Sequence, residues 1–189
     1  MAKRVFFSFH YQDVIDFRAN VVRNHNATKT DNGGFFDSSI WESSKKQGDI
    51  TLKRLINKGL DNTSMTAVLI GSETYSRRWV RYEIMKSIER GNALLGIHIN
   101  NIRNRNGLTH PLGPNPFDYL GLEIDATGKI GKPIEWDGRQ WVYYKDLDPF
   151  QINEQPFSKR KKHFQLKTWL PTYDWVIDNG FDKFSEWIA

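Results

Sequence analysis

Two nearly continuous apolar runs, residues 65–70 (MTAVLI) and 93–99 (ALLGIHI), flank a stretch in which Val80, Ile84 and Ile88 recur every four positions. Unbroken apolarity over strand length predicts strands covered on both faces, as in a parallel sheet, and the four-residue spacing predicts a helix laid on that sheet. Residues 65–99 therefore read as one βαβ unit, its helix closed by Arg90-Gly91. Upstream, residues 3–9 (KRVFFSF) predict a buried first strand, with Ser8, His10 and Tyr11 at or just beyond its C-terminal end. Asp13 is placed to cap a helix built on Val14, Phe17 and Val21 and ending near Asn24. Residues 33–37 (GGFFD) predict a short second strand that ends on Asp37, and Asp49 is placed to cap a helix with Leu52, Leu55 and Ile56 on its apolar face. The order β-α-β-α-β-α-β predicts an α/β fold with a doubly wound open sheet, whose ligands bind beyond the C-terminal strand ends. Those ends are residues 8–11, Asp37, residues 71–76 and residues 98–100.

The second half is less periodic. Residues 100–125 are rich in Asn, Gly and Pro and read mainly as loop with one short helix. Residues 134–144 place Asp137-Gly138 between β-prone residues, a hairpin signal. Residues 163–169 (HFQLKTW) supply a further strand, and Phe181, Phe184, Trp187 and Ile188 recur at helical spacing. At 189 residues the expectation is one domain: residues 1–99 as its βαβαβαβ core, residues 100–162 as a loop and hairpin insertion, and residues 163–189 as the last strand and C-terminal helix.

Composition narrows the chemistry. Cysteine is absent, which removes disulfides, thiolate metal sites and a cysteine nucleophile and fits a reducing cytoplasmic setting. The basic start MAKRVFFSFHYQD has an apolar run too short for a signal peptide, and no run approaches the roughly 20 residues that span a bilayer, so a soluble protein is expected. Much of the net charge of +5 sits in residues 158–163 (SKRKKH). This run is either a solvated face or a patch attracting a phosphorylated anion; without a nucleic-acid motif it does not indicate nucleic-acid binding.

Neither G-x-x-x-x-G-K-[ST] nor a strand-linked G-x-G-x-x-G is present, so a glycine-rich phosphate cradle is not expected. The five histidines lack i, i+4 pairing, which speaks against a zinc site, and no G-x-S-x-G elbow supports a serine hydrolase. What remains is Glu83, four residues after Trp79 and beside the apolar stripe of its helix. Spacing alone leaves two readings: a surface ion pair with Arg78 or Arg81, or a partly desolvated functional carboxylate. A carboxylate can stabilise the oxocarbenium-like transition state of N-glycosidic cleavage, and a nearby indole offers a flat surface to a base or sugar. Trp41, inside the polar stretch 38–49, either lines a site or packs its loop down.

Three segments carry a resemblance: Phe6-Phe-Ser-Phe9, Gly34-Phe-Phe-Asp37, and Val68-Leu-Ile-Gly71 followed by Ser76-Arg-Arg-Trp-Val-Arg-Tyr-Glu-Ile84. With them the chain resembles bacterial TIR domains, and more narrowly the TIR-like family of the Thoeris anti-phage defence system. The likeness covers residues 3–99 and the tail TYDWVIDNGFDKFSEWI. It implies a flavodoxin-like three-layer αβα sandwich and cleavage of the nicotinamide N-glycosidic bond of NAD. Glu83 falls on the catalytic glutamate of that family and Trp79 on the preceding tryptophan. Ser8, Phe9 and His10 fall on the substrate-facing loop, Asp37 and Trp41 on the loop after the second strand, and Ser76 on the start of the W-x-x-x-E segment. The second of these loops lacks the usual Arg-Asp and Pro-Gly pairs, which leaves assembly open.

The resemblance further implies a cyclic ADP-ribose isomer made as a second messenger for a partner effector, with a phage-derived trigger. NAD is expected as substrate, with no cofactor, metal, nucleic acid or membrane involved. The alternatives are a non-catalytic TIR scaffold and a nucleoside deoxyribosyltransferase-like enzyme. A phospho-receiver domain is disfavoured because Phe7-Ser8-Phe9 offers no acidic pair.

Overall fold

The fold rests on a parallel four-stranded sheet ordered β1-β2-β3-β9, comprising β1 (Val5–Ser8), β2 (Met65–Ile70), β3 (Ala93–His98) and β9 (Thr172–Asp174). The computed structural model describes residues 4–26 and 46–189, apart from the side chain of Val14. The expected strand at residues 33–37, together with Asp37 and Trp41, lies outside the described residues. Every residue of β1 and β2 is buried, as their continuous apolarity requires of strands covered on both faces.

Alternation along these strands separates two cores. Val5, Phe7, Met65, Ala67 and Leu69 point to one face. There they meet Ala19 and Val22 of α2 (Arg18–Arg23) and Phe184 of α5 (Gly180–Trp187). Phe6, Val68 and Ile70 point to the other face, toward α3 (Asp49–Leu60) and α4 (Arg78–Glu89). The α4 stripe is wider than Val80, Ile84 and Ile88: Tyr82, Glu83, Met85 and Ser87 are buried as well. Glu83 and Ser87 meet β1 and β2, Tyr82 packs with α3, and Met85 joins the cluster shared with a second layer.

That layer is an antiparallel sheet of β4 (Leu120–Ile124), β5 (Ile130–Trp136), β6 (Trp141–Tyr143), β7 (Phe150–Gln151) and β8 (His163–Gln165). Its path runs β6-β5-β4-β8, and β7 pairs with β5 beyond β6. Leu120, Leu122, Phe150 and Leu166 join Val68, Ile70, Val80 and Ile84 in one apolar cluster. The hairpin expected at Asp137-Gly138 is present, pairing Trp136 with Trp141 across the turn. Residues 120–124, expected to lie in a loop, form the central strand β4 of this sheet. The strand read at residues 163–169 is β8, which pairs with β4, while β9 extends the parallel sheet.

The helix expected from Asp13 to Asn24 is divided. Phe17 has φ of 68° and separates α1 (Tyr11–Ile15) from α2, so Asp13 lies inside α1 and is not a cap. The break turns Arg18 inward, where its guanidinium donates to the carbonyls of Ile102 and Leu108 and ties residues 102–108 to α2. In α3 the cap position is held by Gly48, with Asp49 in the first turn.

Candidate active site

Glu83 sits on the sheet-facing side of α4, and its carboxyl reaches the end of β1. Ser8 Oγ donates to Glu83 Oε2 at 2.5 Å, and both residues are buried. Strand alternation gives this contact its direction: Phe7 is committed to one core, so Ser8 faces the other. Neither cation considered as a surface partner is available. Arg78 is engaged by Asp146 and Asp49, while Arg81 donates to Glu135 and to the Tyr75 carbonyl. Among the described residues no basic side chain pairs with Glu83. Burial pushes its carboxyl up to about 8, partly opposed by the Ser8 hydrogen bond. It is 7% exposed, a buried acid with one hydroxyl neighbour, held proton-bearing near neutrality.

Such a group is poised for a cation. A positive charge entering beside it favours ionisation, so an arriving cationic ring would meet a newly formed carboxylate in a poorly screened setting. Below it, Thr66 and Ser87 exchange a hydrogen bond at 2.8 Å and Ser87 Oγ donates to the Glu83 carbonyl, which fixes this turn of α4 to β2.

The remaining predicted site residues divide. His10 follows β1 at the rim, and burial followed by the Arg77 charge holds its imidazole below the usual value. Phe9 packs on the opposite core, with the Arg23 guanidinium 5.3 Å from its ring centre. Ser76 is exposed at the rim, and its hydroxyl donates to the Glu73 carbonyl. Trp79 packs beside Phe6, Ile56 and Tyr82, meeting Tyr82 edge to face.

Asp13, expected as a cap, instead lies buried in α1 beside the rim. Its carboxyl lies against Gly71, at the end of β2, with Thr74 Oγ1 as a hydrogen-bond partner. Burial pushes it up to about 6 despite the Arg18 charge. The acidic residue in the first turn after β1 was the available signal; its burial comes from contact with Gly71 and Thr74, far along the chain. At the end of β3, His98 Nδ1 and Asn100 Oδ1 are buried with no hydrogen-bond partner among the described residues.

Among the described residues no group of three or more His, Cys, Asp or Glu side chains is arranged to hold a metal ion. A cavity of about 420 Å³ lined by Lys132, Tyr143, Tyr144, Lys145 and Leu147 includes none of the predicted site residues.

Residues 6–104, which contain Ser8, Glu83 and the strands between them, match the family described as Thoeris protein ThsB, TIR-like domain. The chain belongs to that family. It is also 58% identical over 191 residues, covering all of both chains, to the Bacillus cereus (strain MSX-D12) protein named "Putative cyclic ADP-D-ribose synthase ThsB1". The fold agrees with a TIR-like reading: a parallel sheet flanked by helices, here with an antiparallel sheet added from the second half. The Ser8–Glu83 pair is buried at the last residue of β1, just beneath the carboxyl-end rim where open α/β sheets bind ligands.

Proposed function

We propose that this chain is an NAD-consuming Thoeris TIR enzyme, a cyclic ADP-ribose synthase in which Glu83 is the catalytic carboxylate. The observation that carries this reading is the buried Glu83 carboxyl, bonded to Ser8 and paired with no cation among the described residues. The full-length likeness to the protein named "Putative cyclic ADP-D-ribose synthase ThsB1" supports the same activity.

The chemistry follows from charge. Nicotinamide in NAD is a cationic leaving group; the bond from its ring nitrogen to C1′ breaks, and the electron pair neutralises the ring. Positive charge passes to the ribose as an oxocarbenium ion, which the adjacent Glu83 carboxylate stabilises. The Glu83 proton leaves to solvent when the cationic substrate enters. A nucleophile of the same molecule then forms the new bond to C1′: a ribose hydroxyl passes its proton to the Glu83 carboxylate, whereas an adenine ring nitrogen attacks with its lone pair and carries the positive charge. For this to outrun hydrolysis both ends of NAD must be held together and water kept out, a role we assign to Trp79 and Trp41. Ser8 orients the carboxyl, and His10 and Ser76 border the entrance. The product is a second messenger for an effector protein, in the cytoplasm, after a phage-derived trigger.

No helix among the described residues is long and apolar enough to cross a membrane. A scaffold without chemistry is separated from the enzyme by a phage-challenge assay on cells carrying Glu83→Gln, which keeps the size and a hydrogen-bonding oxygen. The enzyme reading expects protection to be lost; full protection would favour the scaffold. A deoxyribosyltransferase would release base from deoxynucleosides, which this enzyme is expected to leave intact.

A further inference from the structure

Asp146 lies between β6 and β7, and it reaches back to the first half of the chain. Its carboxylate accepts from Arg78 Nε at 2.8 Å and Nη2 at 2.7 Å, and it pairs with Lys53 Nζ at 3.1 Å. Lys53 Nζ also donates to the Asp146 carbonyl at 2.7 Å, and Arg78 Nη2 meets Asp49 at 2.7 Å. These are the same two cations that cover the aromatic rings of α4. The Arg78 guanidinium lies 4.7 Å from the Trp79 ring centre, and the Lys53 ammonium lies 5.2 Å from that of Tyr82. The two rings meet edge to face at 6.0 Å, and Leu147 packs against their cluster.

Isolated surface ion pairs do little, because long side chains lose freedom and water screens the charges. Here the carboxylate is 13% exposed, the arginine contact is bidentate, and a second cation shares Oδ1. Arg78 begins α4, and Asp49 begins α3. One side chain from the antiparallel layer thus ties together the first turns of two helices and the cations resting on Trp79 and Tyr82.

We propose that Asp146 is a positioning residue of the active site: by holding Arg78 and Lys53 in place it fixes the Trp79 indole, and with it the exclusion of water from the ribosyl cation. This rests on the function proposed above, since it needs Trp79 to border the reacting ribose. It also gives the segment between β6 and β7 a task in the reaction, acting through α4 without touching substrate.

The test uses the full-length protein in infected-cell lysate supplied with NAD, comparing wild type with Asp146→Asn, Asp146→Glu and Arg78→Lys. Asp146→Asn is expected to lower the ratio of cyclic to linear ADP-ribose product about threefold or more. Arg78→Lys, which keeps the charge and loses the paired contact, is expected to move the ratio the same way, and Asp146→Glu to recover at least half of it. A merely structural role would reduce both products in parallel, so an unchanged ratio in folded Asp146→Asn overturns the proposal. Acrylamide quenching of Trp79 fluorescence, taken as the difference from matching Trp79→Phe proteins, reads the positioning without any reaction. Quenching is expected to at least double in Asp146→Asn and in Arg78→Lys. Should wild type release no nicotinamide under any condition, the function proposed above fails, and the quenching alone decides whether Asp146 holds Trp79; unchanged quenching overturns that.

Discussion

Glu83 is stable where it sits only because it keeps its proton. Its ordinary value of 4.5 is raised to about 8 by burial, so the folded chain binds a proton between those pH values that the unfolded chain has released. Stability therefore falls as pH rises through that window, and the full penalty stands above it. Glu83→Gln removes the penalty and keeps an oxygen to accept from Ser8. We expect chemical unfolding to show the variant more stable than wild type at pH 9, by on the order of 5 kcal/mol, with the gain shrinking to nothing near pH 4. A variant equal to wild type across this range would mean that the carboxyl is solvated. The position of Glu83 beside the apolar stripe was legible from spacing, whereas its isolation was not. Arg78 and Arg81 are satisfied by Asp146 and Glu135, 68 and 54 positions away, in a layer that no local pattern connects to α4.

Among the elements, β2, β3 and α4 follow from continuous apolarity and four-residue spacing, because each carries enough residues to show its period. Both β4, a five-residue strand containing glycine and set among turn residues, and β9, with three residues, are made by pairing with neighbours and show no period of their own. The break at Phe17 was illegible for a related reason: a phenylalanine in the left-handed region is held there by contacts, including the Arg105 guanidinium 3.5 Å from its ring centre. Where the elements meet at the rim, backbones approach closely. A Cβ on Gly113 would run into the carbonyl oxygen of Gly71, and one on Gly71 would run into the Asp13 carboxyl. Since the first obstacle is backbone and cannot swing aside, Gly113→Ala is expected to cost about 3 kcal/mol in denaturant unfolding. A cost below about 1 kcal/mol would show that residues 100–115 can lift off the strand ends.

For the whole molecule, the two sheets share one apolar cluster that runs from Val68 and Ile84 through Phe117 to Leu122 and Phe150. A single-domain reading of residues 1–189 therefore predicts one cooperative transition, with Phe117→Ala lowering the stability of both layers together by about 3–5 kcal/mol. Two separate transitions in calorimetry would divide the chain instead. The α/β class was legible because β2, α4 and β3 carry long local signals, and the TIR-like resemblance of residues 3–99 rested on the motif residues 6–9, 34–37 and 68–84. The antiparallel layer escaped, apart from its Asp137-Gly138 hairpin and the strand at residues 163–165, because its strands are short and pair across long separations. That layer nevertheless shapes the candidate site, since it packs on α4 and supplies the acids that engage Arg78 and Arg81. The account is tested most directly by nicotinamide release from NAD in infected-cell lysate, with full-length wild type and Glu83→Gln side by side. Wild type is expected to release nicotinamide together with a cyclic ADP-ribose isomer, and Glu83→Gln, equally folded, to release at least a hundredfold less. Equal release by the two proteins, or none by wild type under any condition, would contradict it.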